Sequence, residues 1–184
     1  MRRRELETVL REAARVATEL EFFLIGSQAV HGYCRRVPCD VLVSEECDLY
    51  PKNKPETANF LEVKLGRRSR FAKHHGFYVD VVTPEIATLP NGWESRLRKF
   101  RAGPVTAFCL EANDLVVSKL AAGRLKDLEF VGALLQMRLA SAKIVRQRIR
   151  LVPPNERERL RSRLRSVLEE LRMGSYKKLR NQGR

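Results

Sequence analysis

Apolar residues recur at helical spacing from the front of the chain. Leu6, Val9, Leu10, Ala13, Ala14, Val16, Ala17 and Leu20 fall near one face and predict an amphipathic helix over residues 3–20. "EFFLI" (21–25) follows as a short apolar run without alternation, the pattern of a strand covered on both faces. Gly26 ends it, and Ser27 is placed to cap a helix running to about Tyr33. "VPCDVLVS" (37–44) and "CDLYP" (47–51) read as strand material, and "PETANFLEVKLG" (55–66) as a helix opened by Pro55 and closed by Gly66.

Further along, "GFYVDVV" (76–82) has the aromatic and β-branched content of a strand. Thr83 and Pro84 then look like the cap and first position of another helix. "SRFAKHH", just before that strand, reads as a loop. "ESRLRKF" and "VTAFCLE" predict two strands joined at Gly103-Pro104, and two helices follow, over 113–122 and 125–139. Pro153-Pro154-Asn155 breaks the next helical run, with Asn155 and Glu158 at capping-box spacing. Leu160, Leu164, Val167, Leu168 and Leu171 then form an apolar stripe that needs a surface to cover it. The last ten residues, "SYKKLRNQGR", have the polarity of a frayed end. Helix, strand, helix, several strands and then helices describe an α/β (α+β) protein: a small mixed sheet flanked by helices, with a helical C-terminal region.

Charge divides the chain unevenly. The formal net charge is +14 over 184 residues, and from Arg138 onward 15 Lys/Arg stand against 4 acids, a net of +11. The pattern suggests a domain over 1–137 and a basic helical extension over 138–184. Such an extension suits a polyanion, nucleic acid above all, or serves as a solvated helical surface. No apolar run reaches the 18 residues a membrane helix needs. Arg2-Arg3-Arg4 precedes a charged helix, not an apolar signal core, so a cytoplasmic protein is the expectation. The four cysteines have neither CxxC nor zinc-site spacing and read as reduced thiols. Serine-triad, P-loop and metalloprotease patterns are absent. His31 reads as a packed or solvent-facing side chain, and His74-His75 as an exposed pair.

Chemistry concentrates in three places. Gly26-Ser27, at a strand-to-helix turn, lets the backbone approach a phosphate at a helix start, though the same pair also opens ordinary helices. Glu46 and Asp48 are separated by one residue, so a strand points both carboxylates to one side. Two such acids suit a Mg²⁺ shared with substrate phosphates, or simply mark an exposed edge. Asp80, inside "FYVDVV", is a costly residue to bury unless paired or metal-bound, and otherwise faces solvent.

Together these residues resemble the nucleotidyltransferase superfamily with the DNA polymerase β-like palm. There an apolar strand leads to Gly-Gly or Gly-Ser, then to two acids one residue apart, then to a third acid on a later strand. The resemblance covers residues 20–137 and extends to "DLVVSKLAAGRLKDLEFV" (114–131), which looks like the helical segment of minimal enzymes of the AbiEii and toxin–antitoxin type. It implies that Glu46, Asp48 and Asp80 hold two Mg²⁺ ions. Gly26, Ser27 and Lys119 would hold the NTP phosphates, with Arg124, Lys126 and Asp127 lining the same cleft. The spacing from Gly26 to Glu46 is longer than the compact family pattern, and Glu46 stands where Asp is usual. The expected reaction is transfer of NMP from an NTP to an acceptor hydroxyl, on RNA such as tRNA or on a cognate partner protein. The alternative is a catalytically silent member that binds nucleic acid or a partner.

Overall fold

The computed structural model describes residues 1–35, 37 and 44–174. The strand expected over 37–44, Cys39 and the last ten residues fall almost wholly outside them. The described residues divide into two compact units, one within 1–87 and 96–111 and the other within 88–95 and 112–174.

The first unit is built on a five-stranded sheet: β1 (Glu21–Leu24), β2 (Glu46–Pro51), β3 (Tyr78–Val81), β4 (Arg98–Ala102) and β5 (Val105–Cys109), in the order β3-β2-β1-β5-β4. β1 runs antiparallel to β2 and parallel to β5, while β2 and β3 are parallel and β4 and β5 antiparallel. This is the mixed sheet of an α+β palm-like fold. Helix α1 (Arg3–Ala17) buries Leu6, Val9, Leu10, Ala13 and Ala17 of its expected stripe; it ends short of residue 20, Ala14 and Val16 are half-buried, and Leu20 is exposed. Helix α2 (Ala58–Leu65), preceded by a 3-10 turn at Pro55–Thr57, adds Leu61 and Leu65. Their core partners on the sheet include Phe22, Leu24, Cys47, Leu49, Val79 and Ala107. Each fully buried Leu, Val or Phe contributes about 1.5–3 kcal/mol relative to exposure, so this one-sided layer dominates the unit's stability.

Burial alternates along β1, correcting the expectation of a strand covered on both faces: Phe22 and Leu24 are inside, while Glu21 and Phe23 are half-buried. The run reads as continuously apolar because Phe23 packs on the other face against Phe108 of β5, ring centroids 6.4 Å apart. "SRFAKHH" is not a loop. Arg70–His75 forms helix α3, capped by Ser69, whose Oγ accepts from the Ala72 amide at 3.0 Å. The helix expected from Thr83 stops at two single turns, Ile86 N to Thr83 O and Ala87 N to Pro84 O, both 3.2 Å.

The second unit contains α4 (Ala112–Ala122), α5 (Leu125–Gln136), α6 (Ala142–Ile149) and α7 (Pro154–Arg172). Leu160, Leu164 and Val167 of α7 are buried within the chain itself, while Leu168 and Leu171, the other two residues of the stripe, are half-buried. A buried acid and a buried amide tie the helices. Asp114 of α4, fully buried, faces Arg148 of α6 at 3.3 Å. Asn113 accepts the Ser141 amide at the start of α6 at 2.8 Å.

Candidate functional site

β1 delivers the chain to Gly26 at the edge of the acidic strands. The Ile25 amide donates to the Asp48 carbonyl at 3.0 Å, which places Asp48 beside the end of β1. Residues 27–32 form a 3-10 helix rather than the expected α-helix. Ser27 is 8% exposed and Gln28 1%, so this turn is packed into the unit. Gln28 Nε2 in turn donates to the Ser44 carbonyl at 3.1 Å, anchoring the start of the acidic segment.

Gly26 has no room for a side chain. An ideal Cβ there would lie 1.3 Å from Asp48 Oδ2. The glycine is required by this close approach, since its φ of −88° suits any residue.

The register of β2 and β3 then decides which acids meet. Asp48 pairs with Asp80, and Glu46 with Tyr78. Paired residues on parallel strands share a face, so Glu46, Asp48 and Asp80 all lie on the face opposite the buried Cys47, Leu49 and Val79. Neighbouring strands are about 4.8 Å apart, so Asp48 and Asp80 stand side by side, with Glu46 one step along β2. Glu46 Oε2 accepts from the Tyr78 hydroxyl at 3.4 Å. Burial and the Glu46 charge raise the Tyr78 phenol above its ordinary value, which keeps it a donor. Arg67 lies over the Tyr78 ring at 5.6 Å. Among the described residues, no group of three or more His, Cys, Asp and Glu side chains is arranged to hold a metal ion. Two carboxylates are nevertheless a donor set that Mg²⁺ accepts, because it completes its shell with water and substrate phosphate.

In the second unit, Lys119 and Arg124 converge on Asp127. Lys119 Nζ stands 3.3 Å from Oδ1 and Arg124 Nε 2.7 Å from Oδ2. Asp127 is 2% exposed. Burial alone would raise its carboxyl, but the Arg124 hydrogen bond and the Lys119 charge outweigh it and hold the group below the usual carboxylate value. Lys126 is exposed on the first turn of α5. The structure thus brings Lys119, Arg124 and Asp127 into one cluster, Gly26 and Asp48 into contact, and Asp48 and Asp80 into register.

Sequence reasoning passed over Tyr78 and Arg67. The signal for Tyr78 was available, since it lies two residues before Asp80 on the same strand and must share its face. Arg67 carries no such signal, because only the fold brings it over the ring.

A palm-like sheet with two acids in register beside a Gly-Ser turn defines a nucleotidyltransferase-type domain. The chain belongs to the family described as nucleotidyltransferase of unknown function (DUF6036), whose model matches residues 4–164. Among curated proteins and among solved structures, none matches the chain. No helix among the described residues is long and apolar enough to cross a membrane.

Proposed function

We propose that the protein transfers a nucleoside monophosphate from an NTP to an acceptor hydroxyl. The observation that carries this is the Asp48–Asp80 register on the face where Gly26 yields its side-chain space. Asp48 and Asp80 would hold Mg²⁺, which when bound supplies Lewis-acid charge to the α-phosphate. Glu46, fixed by Tyr78, adds negative charge one step along the strand and would join a second ion. The acceptor oxygen bonds to the α-phosphorus, the bond to the bridging oxygen breaks, and pyrophosphate leaves. Asp80, exposed to solvent, takes the hydroxyl proton at a carboxylate oxygen. Gly26 and Ser27 would seat the phosphates through backbone amides.

RNA, such as a tRNA end, is the acceptor that the basic C-terminal helices favour. A cognate partner protein, as in toxin–antitoxin pairs, is the other acceptor class. The test is incubation with each labelled NTP, Mg²⁺ and bulk tRNA, against Asp48→Ala. Transfer by the parent chain and its loss in the variant support the reading. Absence of both transfer and NTP binding sinks it.

A second reading has one observation in its favour: the described acids do not form a three-ligand metal group. On that reading the domain is catalytically silent and binds a nucleic acid or protein partner. NTP binding without transfer to any acceptor would select it.

A further inference from the structure

The arginines of the second unit divide by what they do. Arg163 donates to the Leu120 and Ala121 carbonyls at 2.6 and 2.8 Å, closing the end of α4. Arg157 donates to the Val152 carbonyl at 2.9 Å. Arg159 pairs with Glu156, and Arg161 reaches Glu158 at 3.4 Å, both on exposed helix surface. Among the described residues Arg146, Arg150, Arg165 and Arg172 have no acidic partner, and all four are exposed.

These four are not scattered. With Arg161 they line one groove of about 630 Å³ between α6 and α7. Leu164 and Leu168 are its apolar lining, and Glu169 is its acid. Positions 161, 165 and 172 fall near one face of α7 and extend the charge for about 16 Å at helical rise. The guanidinium groups repel one another, and Glu169 together with Glu158, the exposed partner of Arg161, leaves the groove with a net positive charge. A ligand with repeated anionic groups relieves the repulsion along the whole groove, whereas a single phosphate meets only part of it. Planar guanidinium forks bind phosphate oxygens in pairs, which gives them an advantage over lysine at such a ligand. The chain's own residues 175–184 carry four Lys/Arg and no acid, so charge excludes them as the occupant.

We infer that the α6–α7 groove binds the phosphate backbone of an RNA, and so identifies the acceptor class of the transferase proposed above. The inference rests on that reading for the word acceptor, but the binding itself does not.

The experiment measures binding of the full chain to labelled bulk tRNA by fluorescence anisotropy across a salt series. The variants are Arg150→Ala/Arg165→Ala/Arg172→Ala and a control triple on the other unit (Lys64→Ala/Arg70→Ala/Lys73→Ala). The groove triple is expected to bind roughly tenfold or more weakly, with a log–log salt slope shallower by about 2–3, since each phosphate contact contributes about 0.7–0.9. The control triple should bind as the parent does. Equal losses in both triples would mean bulk charge alone, and unchanged binding in the groove triple would mean no RNA site; either overturns the inference. Polyglutamate displacing tRNA at equal charge concentration would assign the groove to an acidic protein and overturn it as well. Failure of NMP transfer with groove-dependent RNA binding intact would instead count against the transferase reading alone.

Discussion

Asp48 occupies the space that any side chain on Gly26 would need, its Oδ2 lying 1.3 Å from where that Cβ would be. The turn and the acid are therefore one feature, each fixing the other. The packed Ser27–Gly32 turn holds Gly26, and the β1–β2 ladder holds Asp48 against it.

Gly26→Ala should accordingly act on Asp48. The added methyl forces the carboxylate or the backbone to shift, at an overpacking cost of about 1–3 kcal/mol. A displacement near 1 Å at a reacting centre costs on the order of 100-fold in rate. The variant is expected to remain folded by circular dichroism while its NMP transfer falls by about that factor. Transfer at the parent rate would show that the Asp48 position is not critical.

Alternation made the acids legible and proximity did not. Period two along "ECDLY" places Glu46 and Asp48 on one face from sequence alone, and in "YVD" it sets Asp80 opposite Val79. The parallel register that sets Asp80 beside Asp48, leaving Glu46 beside Tyr78, comes from strand order, which no local pattern carries. Helix α3 was missed because "RFAKHH" is too short to show an apolar period. Its signals were Ser69 at the cap and Gly76, which closes it with φ at 75°. Thr83-Pro84 misled in the opposite sense, having a good helix start with no following apolar face to hold it. Likewise, Lys119 looks like a phosphate ligand in sequence, while its contact with Asp127 needs α4 and α5 folded against each other.

Gly123→Ala should destabilise the second unit. Gly123 has φ at 66°, where an L side chain costs roughly 1–2 kcal/mol. Its Cβ would also meet the Arg163 guanidinium at 2.1 Å, the group that caps the α4 carbonyls. Urea unfolding should show a midpoint lowered by the equivalent of at least about 1 kcal/mol. An unchanged midpoint would mean that neither the conformation nor the cap matters.

The described cysteines should differ sharply in reactivity. Cys47 and Cys109 are fully buried, and burial pushes the Cys109 thiol up to about 12 and Cys47 well above its ordinary value. The thiolate is the reactive form, so both are protected twice, by access and by protonation. Cys34 is half-buried. Iodoacetamide at pH 8, followed by peptide mass spectrometry, should label Cys34 in the native protein and leave Cys47 and Cys109 unlabelled until denaturant is added. Early labelling of Cys47 would show that β2 opens readily.

Asp127→Asn separates structure from chemistry in the Lys119 cluster. Removing one partner of a buried ion pair costs about 3 kcal/mol, and the loss falls on α4–α5 packing. The folded Asp127 carboxyl is held below its unfolded value of about 3.9. Its stabilisation is therefore fully present above that pH and is lost as pH falls through the lower folded value. Urea midpoints compared at pH 5 and pH 3 should thus converge between the parent and the variant on the acid side. A constant gap across that window would assign the Asp127 contribution to packing instead of charge. If the variant is destabilised yet transfers NMP at the parent rate below its melting point, Lys119 acts only as a partner for Asp127.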